Sequence, residues 1–175
     1  LPERHIIIDT IRKAAPKLGL KPPVMATLEA MLYCLPPKRD HHMVFASNAT
    51  LSFRRHGISD RTIRRHVETL IEIGLLIRKD SPNKKRFARK NLTLGKSLKF
   101  GFDLAPLFAQ LPTLARLAAA ATHEKEQIAY VRCQIRAAVS DMLLSDPDDT
   151  AALEILKTLR RKLSLDALTS LLETL

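Results

Sequence analysis

Two capped helical patterns separated by one glycine constrain the fold of this chain more than any other feature. Ser47 is placed to cap the first pattern, and Ser59 or Asp60 is placed to cap the second. Gly57 lies between them and can take the left-handed backbone conformation that commonly ends a helix. The two patterns occupy residues 48–56 and 60–73, and the second has an apolar face made of Ile63, Val67, Leu70 and Ile71. This arrangement predicts a helix-turn-helix, in which the second helix packs across the first.

Short helical and extended patterns alternate through the rest of the first part of the chain. Helices are predicted at 5–17, where Pro16 ends or kinks the helix, and at 22–35. The residues predicted to face inward in these helices are Ile6, Ile7, Ile11, Ala14, Val24, Leu28, Met31 and Leu32. Extended segments are predicted at 43–45, 75–77, 86–89 and 92–102. Because the turn residues Ser81 to Lys84 lie between 75–77 and 86–89, these two segments are predicted to pair as a hairpin.

The pattern changes after Asp103, where the chain becomes rich in Ala and Leu. A long helical stretch is predicted at 104–144, with Pro112 dividing it into two pieces. An acidic linker follows at 146–149, and two short helices are predicted at 149–162 and 165–174. We therefore predict a mainly α fold with a small β-wing. It comprises a winged helix-turn-helix domain at 1–103 and a helical extension at 104–175.

Nearly all of the net charge lies in one segment. Residues 54–99 hold 14 Lys and Arg against 4 Asp and Glu, whereas the whole chain has a formal net charge of +11. A basic excess confined to one segment is typical of a surface that binds a polyanion. Since this segment also contains the helix-turn-helix pattern, the sequence predicts double-stranded DNA as the partner.

The helical periodicity of 60–73 indicates which side chains face such a partner. Arg61 and Arg65 are predicted to point outward near the start of the helix, the end that reaches base edges in helix-turn-helix proteins. The basic hairpin is predicted to contact the phosphate backbone. Phe87 within it either packs inward, which is favoured, or wedges at a base step. The candidate DNA-binding residues are Ser47, Asn48, Ser59, Arg61, Thr62, Arg64, Arg65, Arg78, Lys79, Asn83, Lys84, Lys85, Arg86, Arg89 and Lys90.

Signals for other functions are weak. The sequence has no Gly-rich phosphate loop, GxSxG or HExxH motif, and Cys34 and Cys133 fit neither a zinc site nor a disulfide framework. Tyr33 and Tyr130 lie in apolar helical patterns, which does not favour a nicking enzyme with a tyrosine nucleophile. Aromatic residues make up only 5% of the chain, which disfavours reading of single-stranded RNA. We predict a cytoplasmic protein that is not an enzyme and needs no cofactor or metal.

Two runs of sequence resemble one family. The run FASNATLSFRRHGISDRTIRRHVETLIEIGLLIRKDSPNKKRFARK, residues 45–90, and the run FGFDLAPL, residues 100–107, resemble the RepC family of replication initiators of repABC plasmids in alphaproteobacteria. The resemblance is strongest over 14–107 and weaker before and after it. It implies that residues 47–56 form the supporting helix, 60–73 the recognition helix and 77–89 the wing. One departure is Lys84, which stands where the family's wing turn usually has Gly after Ser-Pro-Asn.

The resemblance also implies a function. Members of this family bind the plasmid origin, which lies within the initiator's own coding sequence, start replication there and limit copy number. They carry a further C-terminal domain, and this chain begins with Leu1, so we expect it to be a fragment. The alternative is a winged-helix transcriptional regulator, which would share every DNA-reading feature. Self-association through 104–175 and contacts with host replication proteins are left open, and no apolar run is long enough to span a membrane.

Overall fold

The computed structural model describes residues 1–91, 93–95 and 97–175, and these form a mainly helical protein with a small antiparallel sheet, as predicted. The elements are α1 Arg4–Leu18, α2 Pro22–Tyr33, β1 Met43–Val44, α3 Asn48–Arg54, α4 Asp60–Ile73, β2 Ile77–Lys79, β3 Phe87–Lys90, β4 Ser97–Asp103, α5 Ala105–Ala109, α6 Leu111–Ser145, α7 Thr150–Thr158 and α8 Leu165–Glu173. They form two compact units, Leu1–Ala119 and Ala120–Leu175, and α6 begins in the first and ends in the second.

The first two helices supply much of the core of the first unit. Helix α1 buries a stripe at the helical spacing expected for one face, made of Ile7, Ile8, Ile11, Ala14 and Ala15. Ile6 was predicted to face inward, but it lies beside this stripe and is 47% exposed. Pro16 does not interrupt the helix, which continues to Leu18 and ends at Gly19 with φ 68°.

The caps of α3 and α4 are those that the sequence predicts. Ser47 Oγ accepts a hydrogen bond from the Thr50 amide at 3.2 Å, and Ser59 Oγ accepts one from the Thr62 amide at 3.1 Å. Ser59, rather than Asp60, is therefore the cap of α4. Helix α3 ends two residues earlier than predicted, because His56 already has the left-handed φ of 58° and Gly57 follows with φ 83°.

The sheet differs from the predicted hairpin. Strand β3 pairs with β4 and not with β2. Strand β2 pairs with the other end of β4, where β4 lies between β1 and β2. The pairs Phe87↔Phe100 and Ile77↔Asp103 define the two registers. Seven-residue β4 is long enough to pair with both short strands, and residues 80–86 form a loop between them. The prediction of a hairpin between 75–77 and 86–89 was wrong.

Two further predictions about the extended segments change. The strand predicted at 75–77 begins only at Ile77, because the Leu75 amide still donates to the Leu70 carbonyl of α4 at 3.0 Å. The segment predicted at 92–102 corresponds to β4, and Leu92, at its predicted start, lies outside the described residues.

Residues 104–119, placed by the sequence in the helical extension, pack in the first unit. Leu104, Leu107 and Leu114 are almost fully buried in its core. The predicted interruption near Pro112 is present, since α5 ends at Ala109 and α6 begins at Leu111.

The second unit has its own apolar core of Ile135, Val139, Ala152, Leu159 and Leu168. Asp149 caps α7 and Ser164 caps α8 through side-chain oxygens. Among the described residues, no helix has the length and apolar character to cross a bilayer.

Candidate nucleic-acid interface

Helix α4 presents two cations without internal partners. Arg61 and Arg65 are exposed and one turn apart, on the side away from buried Ile63 and Val67. In the described part of the chain, neither guanidinium has a hydrogen bond or an ion pair. Their donors are therefore available to base edges or phosphates.

Three other charged side chains on α4, those of Asp60, Arg64 and Glu68, are paired. Arg64 forms an ion pair with Asp60 at 2.8 Å, and Arg78 on β2 forms one with Glu68 at 2.8 Å. Because these pairs are solvent-exposed, each stabilises the fold by only about 0–1 kcal/mol and would exchange readily with a phosphate. The predicted contacts Arg64 and Arg78 thus remain on the surface, where they neutralise acidic neighbours.

A hydrogen-bond chain joins the starts of α3 and α4 to the loop at 80–86. Asn48 Nδ2 donates to Asp60 Oδ1 at 2.7 Å, and Arg86 Nη2 donates to Asn48 Oδ1 at 2.7 Å. The Asn48 side-chain amide therefore uses its nitrogen as a donor and its oxygen as an acceptor within the protein, and the capping hydroxyls of Ser47 and Ser59 also bond within it. These three predicted contact residues fix the geometry of the helix starts.

Arg86 is half-buried, and its guanidinium contacts other groups of the protein. Its Nη1 donates to the Ala46 carbonyl at 2.6 Å, and its guanidinium lies 4.1 Å from the centroid of the Phe102 ring. Burial lowers the pKa of Arg86, and the nearby Arg78 lowers it further. Two donors of the predicted contact Arg86 are thus used within the protein, Nη1 by the backbone and Nη2 by Asn48.

The loop at 80–86 exposes two lysines on a closed turn. Ser81 Oγ donates to the Lys85 carbonyl at 2.7 Å, and Asn83 Oδ1 accepts from the Lys85 amide at 3.1 Å. Lys84 has φ 58°, the left-handed conformation that a glycine would adopt without strain. Asn83, Lys84 and Lys85 are exposed, so the turn presents the Lys84 and Lys85 ammonium groups to solvent.

The β3–β4 hairpin adds exposed cations. Arg89 and Lys90 are exposed on β3, whereas Lys79 on β2 pairs with Asp103 at 3.1 Å. The Phe87 ring packs against Phe100 at a centroid distance of 5.2 Å, which is the inward packing that the sequence favoured over a DNA wedge.

Sequence reasoning missed the buried polar group between α2 and α4. His66 is buried, and its Nδ1 lies 2.7 Å from Thr27 Oγ1. Arg55 Nε donates to the same Thr27 oxygen at 3.1 Å. Burial lowers the pKa of His66, and Arg55 and Arg65 lower it further. The only sequence signal was the position of His66 next to Val67 on the apolar side of the helix.

Asp60 was missed as a positioning residue, since the sequence offered it only as an alternative cap.

Among the described residues, no group of three or more His, Cys, Asp or Glu side chains could hold a metal ion.

Comparison with known proteins gives the family. The model of the replication protein C N-terminal domain matches residues 2–144. A putative replication protein C of Sinorhizobium fredii is 37% identical over 124 residues, which are 69% of this chain and 31% of that protein. A putative replication protein C of Rhizobium rhizogenes is 39% identical over 130 residues, 68% of this chain and 32% of that protein. The chain thus spans about a third of the length of these relatives, and no solved structure matches it. It belongs to the replication protein C family.

Proposed function

We propose that this chain is the DNA-binding part of a plasmid replication initiator. It binds double-stranded origin DNA through a winged helix, starts replication there and sets plasmid copy number through its own abundance. Membership in the replication protein C family supports the initiator role. The arrangement of α3, α4 and the β3–β4 hairpin supports the winged helix.

The observation that most supports DNA binding is that α4 has a fixed first turn and two exposed arginines. Its first turns are fixed by the Ser59 cap and the Asn48–Asp60 hydrogen bond, while Arg61 and Arg65 stay exposed and unpaired in the described structure. Fixed backbone with free guanidinium groups is what direct reading of a base edge needs, since little entropy is lost when the contact forms. In this proposal α4 is the recognition helix and lies in the major groove.

The cations of the loop and hairpin supply affinity that does not depend on sequence. Lys84, Lys85, Arg89 and Lys90 are exposed, and each contact to a phosphate contributes to the salt dependence of binding. Ser47, Ser59, Asn48 and Arg86 act behind this surface by holding its parts in place.

The DNA-contacting residues are proposed to lie within 1–103, and the helical extension at 104–175 to carry contacts between copies or with host replication proteins. The site of action is the bacterial cytoplasm, on the plasmid. The chain spans about a third of the length of the curated relatives, so the remaining activities of an initiator are not assigned to its residues.

The test is a footprint across the DNA that encodes the chain, carried out at about 50 and 200 mM salt. We expect one or a few protected segments with affinity at least about a thousandfold above random DNA. Protection of promoter DNA without any preferred segment in the coding DNA would favour the transcriptional regulator instead. Uniform binding to all fragments would contradict specific recognition.

A further inference from the structure

Apolar side chains on β4 become more exposed with distance from the core. Phe102, Phe100 and Leu98 alternate along the strand and so share one face of the hairpin. Phe102 is buried and Phe100 is half-buried against Phe87, but Leu98 is 63% exposed. In the turn beyond, Leu94 is 66% exposed. These two leucines are large apolar groups that the fold leaves uncovered.

The turn that carries Leu94 is held by its own hydrogen bonds. Asn91 Oδ1 accepts from the amides of Thr93 and Leu94 at 3.0 and 3.1 Å, and Gly95 follows with φ 64°. The amides of Thr93 and Leu94 are therefore held at the end of β3 before any partner binds, which lowers the entropy cost of inserting the Leu94 side chain.

The charges around these leucines identify the partner. Arg89 is the strand partner of Leu98, Lys90 is the partner of Ser97, and both cations are exposed without an ion pair in the described structure. The sequence from 81 to 102 contains no Asp or Glu. An apolar group flanked by unpaired cations is complementary to a base step between two phosphate backbones. It is less suited to a second copy of the chain, whose hairpin would carry the same charges.

We propose that Leu98 and Leu94 form a wedge that enters the minor groove of the bound duplex and unstacks a base step. Arg89 and Lys90 then contact the phosphates on either side. The wedge rests on the proposed function, and it adds deformation of the duplex to recognition by α4. An unstacked step is a place where strand opening costs less, as the start of replication requires.

The test uses duplexes from the coding-DNA segment that binds most tightly, each with a single 2-aminopurine at a successive position. The wild-type chain is expected to raise the fluorescence severalfold at one or two adjacent positions. Leu94→Ser with Leu98→Ser should remove this signal and weaken binding about tenfold, while the salt slope stays the same because no cation is lost. Leu94→Met with Leu98→Met should keep the signal, and Leu144→Ser, at an 81% exposed leucine outside the hairpin, is the matched control.

Two outcomes would overturn the wedge. One is an unchanged fluorescence profile in the double serine variant, and the other is tight wild-type binding without an increase at any position; both leave the proposed function standing. In the first case, a wild-type chain that sediments as a dimer and a double serine variant that sediments as a monomer would assign the leucines to a second copy. A wild-type chain with no measurable affinity for any duplex would instead overturn the proposed function together with the wedge.

Discussion

The Arg86→Ala substitution tests whether the Arg86 side chain stabilises the fold or contacts DNA. The substitution removes hydrogen bonds to the Ala46 carbonyl and to Asn48 Oδ1, and it removes the guanidinium from the Phe102 ring. Each bond from a charged donor contributes about 1.5–3 kcal/mol, and the ring contact about 0.5–1 kcal/mol. Because water can reach part of the vacated site, we expect the free energy of unfolding of the first unit to fall by about 2–3 kcal/mol.

The assay can follow the first unit alone. The chain has no Trp and two Tyr, and Tyr33 lies in the first unit whereas Tyr130 lies in the second. In a Tyr130→Phe background, tyrosine fluorescence during urea unfolding therefore reports the first unit. Lys85→Ala is the matched control, since it removes one exposed cation from the same loop and should change stability by less than about 0.5 kcal/mol. If the Arg86 and Lys85 variants were equally stable and the salt slope of DNA binding fell in both, a stabilising role for Arg86 would be refuted.

Three other predictions follow from particular side chains. Lys84→Gly should raise the free energy of unfolding by about 0.5–1 kcal/mol, because φ 58° is unstrained for glycine; a loss of stability in urea unfolding would contradict this. Arg89→Ala should lower the slope of log affinity against log salt by about 0.9, as expected for one lost phosphate contact, and an unchanged slope would remove Arg89 from the interface. Because folding lowers the pKa of His66, the unfolded chain takes up a proton at a higher pH than the folded chain does. The contribution of His66 to the free energy of unfolding should therefore be fully present above about pH 6.5 and should fall as the pH drops below it. In urea unfolding at a series of pH values, His66→Gln should flatten this fall, leaving the part due to His42, whose pKa is also lowered by burial; an unaltered profile would rule out His66.

The helices and their caps could be predicted because their signals are local. Ser47 and Ser59 lie three residues before the amides that donate hydrogen bonds to them. The buried stripe of α4 follows from the spacing of apolar residues within that one helix. The same local signals identified Arg61 and Arg65, whose exposure depends only on the phase of one helix.

The sheet pairing and the role of Arg86 could not be predicted, because both depend on residues distant in sequence. Strands β2 and β3 are short, and nothing in either segment specifies that its partner is β4 rather than its neighbour. In the sequence, Arg86 looks like the other cations of a basic run. Its hydrogen bond of 2.6 Å to the Ala46 carbonyl, 40 residues away, depends on the folded structure. The burial of His66 likewise depends on Thr27 in a separate helix.

The central claim is that α4 reads DNA sequence while the loop and hairpin bind its backbone. Two double variants of equal charge loss test this most directly, Arg61→Ala with Arg65→Ala and Lys84→Ala with Lys85→Ala, each measured for affinity to the protected segment and to random DNA. The α4 variant is expected to lose about tenfold or more of the preference for the protected segment per base contact removed. The loop variant should keep the preference and lose about two units of salt slope. An α4 variant that keeps its full preference, or a loop variant that alone loses it, would contradict the account.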